Sequence, residues 1–74
     1  MSTLTLALTA ARRGALETAT AIRDADAGSD YDLRPAAWDF WLDSDDGAIV
    51  DTLVGWERRR VRQHFEAALI AALA

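Results

Sequence analysis

Residues 24–51 read DADAGSDYDLRPAAWDFWLDSDDGAIVD, and where this stretch starts and stops a helix decides how the chain on either side folds. It holds nine acidic residues, all Asp, against one base, Arg34. It also holds the only Pro, the only Tyr, two of the three Trp and two of the four Gly. Pro35 fixes its own backbone for a first helical position and has no N–H to leave unpaired there. The sequence AAWDFWL that follows predicts a short helix from Pro35 to about Asp43. Trp38, Trp41 and Leu42 lie three or four residues apart and form its buried face. Asp39 and Asp43 fall together on another side, and Phe40 lies off the Trp face as a candidate for a dimer seam or partner contact.

Downstream, Ser44 reads as an N-cap, with Asp45 and Asp46 where a helix dipole favours negative charge. A third helix is expected from about Asp45 to Leu73, with an apolar stripe of Ile49, Val50, Leu53, Val54, Val61, Phe65, Ala68, Leu69 and Leu73. Gly55 interrupts it at roughly 1 kcal/mol relative to Ala, which suits a bend or a close helix crossing. Trp56 is expected in the core beside Trp38 and Trp41. Trp38, Trp41 and Leu42 would pack against the Ile49/Leu53/Trp56 side of this helix.

Upstream, the Ala-rich run from Thr9 to about Ala25 predicts a helix, ended by Gly28 with Ser29. A loop, Ser29 to Arg34, leads to Pro35. Residues 3–9, TLTLALT, admit two readings. Strict alternation is the period of a half-buried strand. Alternatively Ser2 or Thr3 caps a helix with Leu4, Leu8, Ala11, Ala15 and Ile22 on one face. A strand there would need residues 48–54, AIVDTLV, as its partner. The expected fold is all-α: one domain, residues 1–74, of three helices (long, short, long), with a two-stranded element from residues 3–9 and 48–54 as the minor alternative.

A chain of 74 residues buries only about 60% of its unfolded surface, so its stability is marginal without well-packed helices or a partner subunit. With no Cys it has no disulfide, no thiolate metal site and no Cys nucleophile. The apolar run 67–74 is too short to span a bilayer, and the N-terminus lacks a secretory pattern. A cytoplasmic protein without membrane contact is expected. Ala67 to Leu73 offers apolar side chains on more than one helix face, which suggests a homodimer with a two-fold interface at the end of the third helix.

The many Asp do not fit a calcium loop. An EF-hand wants oxygen ligands at positions 1, 3 and 5, Gly at 6 and Glu at 12. Started at Asp24 or at Asp43, the sequence puts Gly at 5 and Pro35 or Val54 at 12. No metal and no cofactor are expected. His64 is the only imidazole, and Arg60 and Ala68, its neighbours one turn away, offer no carboxylate to orient it. With no Lys and no glycine-rich phosphate loop, nucleophilic and phosphoryl-transfer chemistry lack their parts. No enzymatic activity is expected. Arg58, Arg59, Arg60 and Arg62 form a phosphate-contact pattern, but the net charge of −4 argues against direct nucleic-acid binding. Pairing with acidic residues, including Arg62 with Glu66, suits them better.

The charge is strongly segregated. Residues 1–23 carry three Arg against one Glu, residues 24–51 nine Asp against one Arg, and residues 52–74 four Arg against two Glu. The centre is thus negative between two positive flanks, and it favours a basic partner. The plain reading is a solvated surface that keeps a small protein soluble. The sharper one is a charge mimic of nucleic acid, with Asp24, Asp26, Asp30, Asp32, Asp39, Asp43, Asp45 and Asp46 as partner-binding residues. Asp39, Asp43 and Asp46 would form a row if the helical path continued, since four positions rise about 6 Å. Asp also holds its charge closer to the backbone than Glu does.

In size, acidity and lack of catalytic residues, the whole chain resembles small phage-encoded inhibitors, the anti-CRISPR proteins and other DNA mimics. The resemblance implies a partner with a basic nucleic-acid-binding groove, such as a CRISPR surveillance complex in the host bacterial cytoplasm. The alternative is a small helical dimerising adaptor or antitoxin-like subunit, binding through its apolar helix faces.

Overall fold

A computed structural model of the chain describes residues 2–24 and 34–74. Among these residues there are three α-helices, α1 (Thr3–Asp24), α2 (Arg34–Leu42) and α3 (Gly55–Leu73), with a 3-10 helix (Gly47–Thr52) between the last two. The fold is all-α, with no strand among the described residues. The expected end of the first helix near Ala25, its Gly28/Ser29 stop, the loop that follows and Asp26, Asp30 and Asp32 lie outside the described residues.

Residues 3–9 are helical rather than extended. Ser2 caps α1, its hydroxyl accepting the Thr5 N–H at 3.1 Å. β-branched threonines sit in this helix by bonding back to carbonyls one turn earlier: Thr9 to Thr5 at 3.1 Å, Thr18 to Gly14 at 2.7 Å and Thr20 to Leu16 at 3.1 Å. The buried face is made of small residues, Ala7, Ala11, Ala15 and Ala19, with Gly14 beside them, while Leu4, Leu8 and Ile22 pack at its margin. Alanines four apart form one ridge of the helix surface. They let α1 lie close to α3, its most extensive partner, whose Val61, Phe65 and Leu69 supply the bulk at the same four-residue spacing.

The expected continuous helix from Asp45 to Leu73 does not form. At 1.5 Å per residue it would run about 43 Å, beyond the 36 Å longest dimension of the molecule. It would also carry Val50 and Leu53 away from the core. Instead Ser44 turns the chain, donating to the Trp41 carbonyl and accepting the Gly47 N–H at 3.1 Å. The 3-10 helix then buries Val50 against the core, and Leu53 and Val54 are extended. This same segment, AIVDTLV, was the candidate second strand. α3 begins afresh at Gly55, with the Glu57 carboxylate accepting the Val54 N–H at 3.2 Å. Val54 has no side-chain acceptor, so only this half of a capping box exists.

The restart changes which residues are inside. Trp56, expected in the core, is 57% exposed. It stands nine positions before Phe65, two and a half turns, and so faces the opposite way. Val54 and Leu73, expected in the apolar stripe, are also exposed. The aromatic core is Trp38, Trp41 and Phe65, each pair of rings 5.5 Å apart between centroids. The two α2 indoles therefore pack on the middle of α3; of the expected Ile49/Leu53/Trp56 side, Leu53 is buried in the same core and Ile49 packs against it, while Trp56 is absent from it.

Candidate functional site

α2 turns Ala37, Trp38 and Trp41 inward, which leaves Asp39 and Phe40 outward. Phe40 is 76% exposed, the most exposed large apolar side chain described. Asp43 follows one turn after Asp39, and its N–H still bonds to the Asp39 carbonyl at 3.3 Å. The two carboxylates therefore share a side, as their spacing implies. The row does not continue to Asp46, because Ser44 redirects the chain after α2. Asp46 instead precedes the 3-10 helix in helical conformation, with no side-chain capping bond. Asp45 and Asp46 are exposed at this turn, and Asp24 is exposed at the end of α1.

None of Asp24, Asp39, Asp43, Asp45 and Asp46 forms an ion pair among the described residues. The helix dipoles make this arrangement more negative still. A helix C-terminus carries about half a negative charge and favours cations. Asp43 sits just past the end of α2 with Asp39 in its last turn, no base lies in that turn, and Asp24 ends α1. These carboxylates raise a negative potential that the backbone has already set.

The bases cluster near the start of α3, where Arg58, Arg59 and Arg60 follow Glu57, the acid of its first turn. Arg58 reaches Asp51 at 3.8 Å and Arg62 bonds Glu66 at 2.9 Å, both near solvent. The second pair is the one its spacing implied. Such exposed pairs contribute little, typically under about 1 kcal/mol. Arg59 and Arg60 form no ion pair among the described residues. His64 is exposed on α3.

A cleft of about 520 Å³ opens between α1 and α2 next to the acidic residues. Ala21 and Ile22 of α1 and Ala37 and Phe40 of α2 line it, together with the exposed carboxylates Glu17 and Asp46. Sequence reasoning missed this cleft because it depends on how two helices diverge. It missed the exposure of Trp56 as well, although the nine-residue spacing to Phe65 was a usable signal. No cluster of three or more His, Asp or Glu able to hold a metal occurs among the described residues. No helix among them is long and apolar enough to cross a membrane.

No family model matches this sequence, and neither the curated proteins nor the solved structures contain a match to it.

Proposed function

We propose that this chain is a non-enzymatic, protein-binding inhibitor whose acidic surface occupies a basic nucleic-acid-binding groove on another protein. A CRISPR-type host defence complex in the bacterial cytoplasm is the leading instance. One observation carries the reading: Asp39, Asp43, Asp45 and Asp46 are exposed and unpaired among the described residues, around Phe40, at the negative end of α2. Carboxylates placed only for solubility would lower the free energy by sitting at helix N-termini or beside bases. Asp45 and Asp46 do precede the 3-10 helix, but Asp39 and Asp43 sit at the C-terminus of α2 with no base in its last turn, a cost to folding that a cationic partner would offset. The exposed Phe40 ring adds an apolar contact that a pure solubilising surface has no need for.

The adaptor reading draws on a different feature, the exposure of Ile70 (49%) and Leu73 (38%) at the end of α3. Rising salt separates the two. The test is capture of a partner from host lysate, with duplex DNA as competitor, for the parent and for Asp39→Ala/Asp43→Ala. A mimic is displaced by the DNA, releases its partner as salt rises and associates more slowly once the two carboxylates are gone. Binding indifferent to salt, DNA and the double substitution would leave the adaptor reading standing.

A further inference from the structure

We propose that the chain self-associates head to tail, the Trp56/Arg59/Arg60 corner of α3 in one copy seating in the acidic cleft between α1 and α2 of a second copy. Two surfaces with opposite needs lie on the same molecule. The cleft has an apolar lining that includes Ala21, Ile22, Ala37 and Phe40 and carries the carboxylates Glu17 and Asp46. Asp43 and Asp45 add unpaired negative charge in the adjoining turn. At about 520 Å³ it lies within the roughly 300–1,000 Å³ of clefts that take a bulky apolar group. The corner of α3 offers such a group. Trp56 is 57% exposed, and Arg59 and Arg60, three and four residues on, share its side of the helix. A Cβ at Gly55 would lie 3.8 Å from Arg59 Nη1, so this guanidinium folds back toward the first turn.

Charge complementarity on the same chain points to a second copy as the occupant. The cleft lies beside the negative end of α2, and the corner carries a local excess of Arg near the start of α3. Neither Arg59 and Arg60 nor Asp43, Asp45 and Asp46 are neutralised by an ion pair among the described residues. Bringing one copy's corner to another's cleft pairs these opposite charges and covers an aromatic ring. Trp and Arg are the residues that most often dominate such contacts. The contact joins two different surfaces, so assembly grows with concentration unless it closes on itself. Docking covers Phe40 and Asp46, so where the proposed function holds, self-association and partner binding compete. The self-association itself does not rest on that reading.

Sedimentation of the full chain across rising concentration tests the proposal, with circular dichroism to confirm that each variant keeps its helices. Wild type is expected to gain mass with concentration, and to lose it at high salt. Trp56→Ser, at an exposed position, and Ala21→Arg, which places a base in the cleft lining, should each weaken association roughly 30-fold or more. The decisive step is to mix the two. Each variant supplies the surface the other lacks, so the mixture forms a heterodimer while neither associates alone. A wild type that stays monomeric, association that survives Trp56→Ser, or a mixture that stays monomeric overturns the proposal. So does association abolished by Ile70→Glu but not by Trp56→Ser, which would put the seam at the end of α3. Failure here leaves the lysate assay of the acidic surface untouched, because that assay depends on Asp39 and Asp43.

Discussion

The indole of Trp41 lies directly on Gly14: a Cβ at position 14 would come within 2.3 Å of both Cδ1 and Nε1 of the ring. Glycine in the middle of α1 would ordinarily be a fault, weaker than Ala by about 1 kcal/mol. Here it is the opening through which α2 reaches the core. Gly14→Ala therefore has a definite sign. Were the position open, the substitution would stabilise the helix. Since the ring body and not a flexible tip stands in the way, it should instead destabilise by about 1–3 kcal/mol, the usual cost of overpacking. Urea unfolding at constant m-value reads this directly, and a midpoint raised by the substitution would show that Trp41 does not rest on α1.

Trp41 also carries the one buried side-chain polar atom without a hydrogen-bond partner among the described residues, its Nε1. An unmet buried donor costs about 1–3 kcal/mol, whereas truncating a buried Trp to Ala costs about 3–5 kcal/mol. Trp41→Phe removes the donor, keeps a ring against Trp38 and Phe65, and is expected to leave a cooperative melt. Trp41→Ala should unfold the domain or leave it molten, since a small domain has only a few kcal/mol in hand. Near-ultraviolet circular dichroism and thermal melts separate the two. Equal losses for Phe and Ala would mean that the fused ring itself, rather than an aromatic wedge, holds α2.

Much of this arrangement was readable in advance, and what was not shares one cause. Pro35 and the Trp38/Trp41 spacing gave α2 and its inward face, and Asp39 with Asp43 followed from the same helix. Those features depend on residues within a turn of one another. Gly14 and Gly47 have no local signature, because each is required by a ring or carbonyl that approaches from another segment. The break before α3 is concealed because Ser44 and the two Asp after it suit a helix start. The true start, Gly55 with Glu57 at the third position, was hidden inside an apolar run. Trp56 then moved from core to surface, and the acidic row ended at Asp43.

Gly47 makes the strictest demand of the described glycines. A Cβ there would lie 2.0 Å from the Trp41 carbonyl oxygen and 2.8 Å from Leu42 Cα. The requirement is space and not a left-handed backbone, and the obstacle is main chain, which cannot swing aside. Gly47→Ala is expected to cost the upper end of the roughly 1–3 kcal/mol of overpacking, or more, and to detach the 3-10 helix from α2. Hydrogen exchange should show this as lost protection of Leu53, whose N–H bonds the Val50 carbonyl at 3.1 Å. Protection unchanged from the parent would mean that the turn after α2 relaxes freely.

The acidic surface yields a prediction with two opposite signs. Asp39 and Asp43 are like charges one turn apart, a pairing that destabilises a helix by about 0.2–0.5 kcal/mol. Both also lie at the negative end of α2, where each exposed carboxylate costs a further few tenths of a kcal/mol. Asp39→Asn with Asp43→Asn should therefore raise the stability of the isolated protein slightly at low salt, and the gain should fade as salt is added. The same two changes should slow association with a basic partner, since steering by unpaired charge acts mainly on the on-rate. Urea midpoints and stopped-flow association rates on one preparation test both halves. A stability gain with slower association identifies residues that cost the monomer and serve the complex. A stability gain with unchanged association would leave these carboxylates as solubilising groups alone, and the partner surface would have to be sought at Phe40 and the cleft.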